Sequence, residues 1–189
     1  SGRVPFVKYG LILVNLLVFL YEVSLGPELH AFAIQWGLVP RLAAAALAGD
    51  GSLLWDATVP VITSTFLHGG WLHLIGNCWY LWIFGDNVED RLGHVRYLMF
   101  YLGAGVASGA LHVAATPGSL VPTVGASGAI AGVLGAYLVM FPRARVITLL
   151  PLFVFVQLVA LPAVVVLGLW FVFQFFSGAL SLLYTTDHS

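Results

Sequence analysis

Residues 125–141 read GASGAIAGVLGAYLVMF, an apolar stretch rich in small side chains that contains one serine, Ser127. Pro142 follows directly, and a proline cannot continue a helix. A helix over 127–141 is about 22 Å long, shorter than the roughly 30 Å of a bilayer core. If Arg143 and Arg145 mark one membrane surface, Ser127 lies roughly 8 Å inside the opposite edge of that core. The stretch therefore predicts a short membrane helix that begins at a buried serine.

The composition of the whole chain supports a membrane protein. Of its 189 residues, 60% are hydrophobic and 8% charged, and the mean hydropathy is +1.00. Soluble domains are about one quarter charged, so this composition excludes a soluble globular protein, and it equally excludes a disordered one. A net charge of −1 gives no basic surface for nucleic acid. We expect an all-α, multi-spanning membrane protein, with residues 1–189 in a single domain.

Five stretches are apolar enough to span the bilayer as helices. A longer connection at 26–56 carries two prolines and two aspartates, and we expect it to lie on or partly in the membrane surface. Residues 146–161 are a surface-lying or re-entrant lead-in to the last span, or else a further span folded back at Pro162. The approximate spans are 6–25, 59–84, 95–115, 127–141 and 162–183.

The basic residues predict the orientation. With five spans, only Arg41 falls on one side of the membrane, and the other six fall on the opposite side: Arg3, Lys8, Arg91, Arg96, Arg143 and Arg145. Because short cytoplasmic loops carry the excess of Lys and Arg, we expect a cytoplasmic N-terminus.

Ser127 follows a turn, residues 122–126, that is not helical yet lies at membrane depth. Such backbone is tolerated only where it is buried in protein or lines a water-filled cavity, so we expect a wet depression above Ser127. Small residues at helical spacing in 127–141 and in the third span favour close helix packing and a central place for the fourth helix, although this is also ordinary in membrane helices.

Few polar residues lie at membrane depth, and such residues are functional candidates. His73 and Asn77 are four residues apart, so they share a helix face and lie at a depth similar to Ser127. A serine with two nearby donors indicates nucleophilic acyl chemistry, with the oxyanion held by His73, Asn77 and the Ser127 N–H. Gly125 and Gly128 would let a substrate backbone approach.

Each of these residues also has an ordinary structural interpretation. Ser127 could bond a backbone carbonyl, His73 and Asn77 could join two helices, and His68 could sit at the membrane interface rather than line the depression. A zinc site from His68 and His73 is not favoured, because their spacing is poor and no third ligand is evident. We expect neither a metal nor a cofactor.

The segment His68-Gly-Gly-Trp-Leu-His73-Leu-Ile-Gly-Asn77, followed after one span by Gly125-Ala126-Ser127-Gly128, resembles the rhomboid intramembrane serine proteases. Glu89-Asp-Arg91 resembles the Glu-x-Arg motif of that family. Trp36-Gly-Leu-Val-Pro40 resembles a segment common in its bacterial members. The similarity covers essentially the whole chain.

The resemblance implies a six-helix core that cleaves transmembrane protein substrates near the outer membrane face, in a bacterial plasma (inner) membrane. It implies Ser127 as nucleophile, His73 and Asn77 as oxyanion-hole donors, and His68 as a supporting residue that organises water and polar contacts. Glu89 and Arg91 match a structural loop pair.

The family's general base is a histidine on a sixth helix, and none of the six histidines here occupies that position. We expect this chain to be part of an active protease whose sixth helix is not included. The alternatives are a catalytically inactive rhomboid-like protein that binds transmembrane helices and, from a third class, a small transporter with His73 and Asn77 along its pathway.

Overall fold

The computed structural model of the chain describes residues 4–152, 155–172 and 174. It divides into two compact units, residues 1–133 and residues 134–189. Within the described residues the structure is mainly helical. The helices are α1 Phe6–Ser24, α2 Leu29–Trp36, α3 Pro40–Leu47, α4 Leu54–Thr63, α5 Trp71–Leu92, α6 His94–Ala115, α7 Ser127–Met140 and α8 Ala163–Val172.

Helix α1 packs mainly against α5 through one face. Its buried residues follow the spacing of a single helical stripe, and three of the five are polar: Lys8, Leu11, Asn15, Phe19 and Glu22. The side chain of Lys8 lies over the ring of Trp82, with Nζ 4.8 Å from the ring centroid, and donates a hydrogen bond to the Trp82 carbonyl. These three polar groups of α1 are therefore turned towards protein, together with Leu11 and Phe19, while many of its other large apolar side chains are exposed.

The predicted second span, 59–84, is not one helix. Its first residues belong to α4, a 3-10 turn follows at Ser64–Phe66, residues 67–70 are not helical, and α5 begins at Trp71. The paired glycines Gly69 and Gly70 explain the break, because glycine is a poor helix former. The helix after the break runs on to Leu92, past the predicted end. His68 therefore lies in the connection between α4 and α5, and His73 lies in the first turn of α5.

The predicted surface connection at 26–56 contains the short helices α2 and α3, with a 3-10 turn at Gly26–Glu28 before α2 and another at Gly51–Leu53 after α3. Helix α3 packs against α4 and α6. Leu38, Ala43 and Val113 form a buried cluster there, with Ala57 and Val61 of α4 against it. The connection is thus folded against the helices.

The second unit contains a feature that the sequence did not predict. Residues 146–161 fall in an antiparallel hairpin of β1 Arg145–Leu152 and β2 Phe155–Pro162, paired from Arg145 with Pro162 to Leu152 with Phe155. β-Branched residues are frequent in both strands, and Pro151 interrupts any helix. The hairpin leads into α8, whose range begins the predicted span 162–183, and the later part of that span lies outside the described residues.

In the part of the chain that the structure describes, two helices are long and apolar enough to cross a membrane by length and composition, α1 and α6. Both carry large apolar side chains on their outer surface, such as Leu13, Leu17 and Met99. An aqueous surface seldom presents such a continuous apolar area, whereas a lipid-facing one does.

Candidate active site

Ser127 is the first residue of α7, so its backbone N–H is one of the four that have no partner inside the helix. The residue before it, Ala126, is fully buried, and Ser127 itself is partly exposed. Its hydroxyl therefore lies at a helix N-terminus with a path to the surroundings.

The turn before Ser127 is held by backbone hydrogen bonds from other elements. Leu38 and Thr123 exchange both bonds of a bridge, with N–O distances of 3.0 and 2.8 Å, and the Gly125 N–H donates to the Ser64 carbonyl at 2.8 Å. A Cβ on Gly37 would lie 3.0 Å from Cβ of Pro122, which explains a glycine in the Trp36–Pro40 segment. The non-helical backbone at 122–126 is thus partnered by protein, as expected for such backbone in a membrane.

Two of the predicted site residues, His73 and Ser127, come together at Gly125. A Cβ at this position would lie 2.6 Å from Cε1 and 2.8 Å from Nε2 of His73, and 3.7 Å from Oγ of Ser127. The backbone also has a φ of +131°, which a residue with a side chain rarely adopts. Only glycine therefore allows the imidazole and the serine hydroxyl to share this space.

Asn77 follows His73 by one turn of α5. Its side chain is 3% exposed, and Nδ2 has no hydrogen-bond partner among the described residues. A buried donor without a partner costs free energy, so this amide would donate readily to an acceptor that entered the site. An oxyanion would be such an acceptor.

His68 lies beside His73, with ring centroids 5.3 Å apart. Its Nδ1 is 3.2 Å from the Phe66 carbonyl, and its Nε2 has no partner among the described residues. If Nδ1 donates to Phe66, a neutral ring presents an acceptor at Nε2.

Close packing of α6 on α7 fixes the helix that carries the serine. A Cβ on Gly128 would collide with the side chain of Ser108, and one on Gly132 would lie 2.5 Å from Cβ of Ala104. The predicted role of small residues in helix contact is confirmed at these two positions. Gly128 is needed for the helix contact, whether or not it also lets a substrate approach.

Glu89 lies far along α5 from His73, near the end of that helix, and is 1% exposed. Its carboxylate accepts the N–H groups of Val7 at 3.0 Å and Lys8 at 2.8 Å, and it pairs with Nδ1 of His94 at 2.6 Å. It therefore caps the first turn of α1, where Pro5 offers no capping side chain. The structural role of Glu89 is visible in these contacts, while its pairing with Arg91 stays a prediction.

Two contributors were not found from the sequence. The carboxylate of Glu22 reaches the backbone of His68, and the carbonyl of Ser64 holds Gly125. Both are contacts between residues far apart in the chain, and neither residue belongs to a recognisable motif. Within the described residues, no cluster of three or more His, Cys, Asp or Glu side chains could hold a metal ion.

The Rhomboid domain family model matches residues 55–187, which is more than half of the chain. The chain therefore belongs to the rhomboid family, which is known for intramembrane proteases, and it is an integral membrane protein with a helical rhomboid fold.

Curated relatives include mitochondrial and bacterial proteins. The chain is 34% identical over 129 residues to the human presenilin-associated rhomboid-like protein, mitochondrial, which covers 65% of this chain and 34% of that protein. It is 32% identical over 180 residues to the rat protein of the same name, covering 92% and 44%. It is 32% identical over 138 residues to the rhomboid protease GluP of Bacillus subtilis, covering 73% and 25%. The chain thus spans less than half the length of these relatives.

Proposed function

We propose that the protein is an intramembrane serine endopeptidase that cleaves transmembrane substrates near the outer membrane face. The observation that supports this most strongly is the convergence at Gly125 of the Ser127 hydroxyl and the His73 imidazole. Family membership and the relative named as a rhomboid protease support the same activity.

The Ser127 oxygen would attack the carbonyl carbon of a substrate peptide bond. Its proton passes to a general base, which the family resemblance assigns to a histidine on a sixth helix outside these 189 residues. The base then gives the proton to the leaving amine as the C–N bond breaks, and an acyl-enzyme forms. Water, activated by the same base, hydrolyses the acyl-enzyme and restores the serine.

Negative charge develops on the carbonyl oxygen during each attack. Three donors are available for it: the Ser127 N–H at the positive end of α7, the His73 imidazole and Nδ2 of Asn77, for which the described part of the chain offers no acceptor. Removing one oxyanion donor costs about 2.7–4 kcal/mol of transition-state stabilisation in comparable sites.

The substrate reaches the site from the bilayer, so it is a membrane-embedded protein segment rather than a soluble peptide. The distribution of basic residues supports a cytoplasmic N-terminus, which puts Ser127 nearer the outer face. A bacterial inner membrane is the proposed location. No cofactor is needed for this chemistry.

The test is covalent labelling of the full-length protein with a fluorescent serine-directed phosphonate. We expect the wild type to be labelled and Ser127→Ala to be unlabelled, because the alanine has no nucleophile. Ser24→Ala, which changes an exposed serine at the end of α1, is the matched control and should label like the wild type. Persistent labelling of Ser127→Ala would refute the assignment.

The oxyanion donors are tested by the cleavage of a single-span reporter. His73→Ala and Asn77→Ala should each lower kcat by about 10² to 10³-fold with a much smaller change in KM, since the donors act mainly in the transition state. An unchanged kcat in either variant would contradict the role given to that residue.

A second candidate is an inactive rhomboid-like protein that binds transmembrane helices. It stays open because none of the six histidines in these 189 residues occupies the position of the family's general base. It predicts that the full-length protein crosslinks to the reporter helix but neither cleaves it nor reacts with the phosphonate.

A further inference from the structure

Glu22 is a buried carboxylate near the end of α1, on the face that packs against α5. Its side chain is only 3% exposed, although ordinary acidic residues near a helix end reach out to solvent. An ionisable group buried in a membrane helix is costly, so it is retained where it has a partner and a role. The catalytic groups described above do not include it.

The partner of Glu22 is the backbone of His68, 46 residues further along the chain. Oε2 accepts the His68 N–H at 3.1 Å, and Oε1 lies 3.4 Å from the same nitrogen. His68 lies in the non-helical connection at 67–70, where a backbone N–H has no helical partner. The carboxylate therefore satisfies a buried donor that would otherwise favour a different path for this connection.

The same face of α1 holds the connection at a second point. Phe19, one turn before Glu22, packs edge-on against Trp71, with ring centroids 4.9 Å apart, and against His68 at 6.4 Å. Trp71 is the first residue of α5, and His73 lies two residues further on. Helix α1 thus contacts this part of the chain through the Glu22 hydrogen bond and the Phe19–Trp71 ring contact, shortly before the predicted oxyanion donor His73.

The position of His68 is transmitted to His73 by direct contact of their rings, which meet at 65° with centroids 5.3 Å apart. The His73 ring is confined on another side by Gly125. A shift of the His68 backbone would therefore displace an imidazole that has little free space.

We propose that Glu22 is a positioning residue for catalysis: by accepting the His68 N–H, it fixes the connection that orients the His73 imidazole towards the oxyanion. This inference rests on the proposed protease function. Glu22 does not touch the substrate, and it acts through His68 and the start of α5.

The test compares two variants of the full-length protein that differ in one property. Glu22→Gln keeps an oxygen that accepts the His68 N–H, whereas Glu22→Leu has a similar size and no acceptor. With the single-span reporter, we expect Glu22→Leu to lower kcat by about 10-fold or more with KM within about twofold, since small displacements of oriented groups are costly. Glu22→Gln should keep kcat within about threefold of the wild type.

Glu28→Leu is the control, because Glu28 is an exposed acidic residue just after α1 and should leave kcat unchanged. The imidazole ¹H–¹⁵N spectrum gives a readout that does not depend on activity. The His73 signals should shift in Glu22→Leu and keep their wild-type positions in Glu22→Gln.

Equal losses of kcat in both Glu22 variants, or wild-type kcat and His73 signals in Glu22→Leu, would overturn the inference. If the wild type itself shows no Ser127-dependent cleavage, the protease proposal fails. The imidazole spectra then still decide whether Glu22 orients His73.

Discussion

At the scale of single residues, the site depends on space as much as on reactive groups. We propose that the serine, the histidine and the asparagine supply the chemistry, and the absence of a side chain at Gly125 leaves the space in which two of them meet. Glycine also adopts a positive φ with little conformational strain, so it allows the chain to turn immediately before a helix. The site geometry therefore requires that position 125 has no side chain.

Gly125→Ala should lower kcat of reporter cleavage by about 10²-fold, because the added methyl occupies the place of the His73 ring and small displacements of this kind are costly. The φ of +131° adds backbone strain of about 1–3 kcal/mol. Steady-state kinetics of the full-length protein measure the effect.

Gly118→Ala is the control for Gly125→Ala, since a Cβ at Gly118 meets no atom within 4 Å and its backbone is unstrained. It should behave like the wild type. If Gly125→Ala kept full activity, the close approach of His73 and Gly125 would not describe the working site.

At the scale of residues, the sequence could single out candidate reactive groups because polar side chains are rare in this chain, and their catalytic roles stay predictions. Ser127, His73 and Asn77 could be selected by depth and helix spacing alone, and Gly125 brings two of them together in the structure. Glu22 could not be selected, because its burial depends on a partner 46 residues away. The sequence around a charged residue near the end of a span does not show whether its side chain faces solvent or protein.

At the scale of elements, the helix bounds were predicted correctly where polar residues separate one apolar stretch from the next. They were predicted wrongly where a helix is interrupted within apolar sequence. Helices α1, α6 and α7 lie within one residue of the predicted spans 6–25, 95–115 and 127–141. The turn at 64–70 was not predicted within the span 59–84, because the sequence around the turn is mostly apolar. The hairpin at 145–162 was missed because apolar runs of this length fit a strand as well as a buried helix.

Close contact between α6 and α7 makes a prediction at this scale. Gly132→Ala should lower the thermal unfolding midpoint in detergent, because its methyl would lie 2.5 Å from Cβ of Ala104 and overpacking typically costs about 1–3 kcal/mol. Gly135→Ala changes the next glycine of the same helix, where a Cβ meets nothing within 4 Å, and should not lower the midpoint. Equal midpoints for the two variants would argue against the close helix contact.

At the scale of the whole molecule, the distribution of charge predicts how the chain lies in the membrane. Six of the seven basic residues fall on the side proposed to be cytoplasmic. Ser52 and Arg143 are exposed residues on opposite predicted sides, and each can carry a reporter thiol.

In spheroplasts of a bacterial host, a membrane-impermeant maleimide should label Ser52→Cys and spare Arg143→Cys, with the free Cys78 first replaced by alanine. Both variants should label after the membrane is permeabilised, which controls for buried thiols. The reverse pattern in intact spheroplasts would invert the proposed orientation and put Ser127 nearer the cytoplasm.

The two buried carboxylates that join α1 to α5 limit how this protein can move. Glu89 fastens the start of α1 near one end of α5, and Glu22 fastens the end of α1 to the connection that opens α5. Separating these helices would leave buried polar groups without their hydrogen-bond partners at both ends at once. We therefore expect α1 and α5 to travel as one rigid body, so that a transmembrane substrate has to reach Ser127 along a route that does not pass between them.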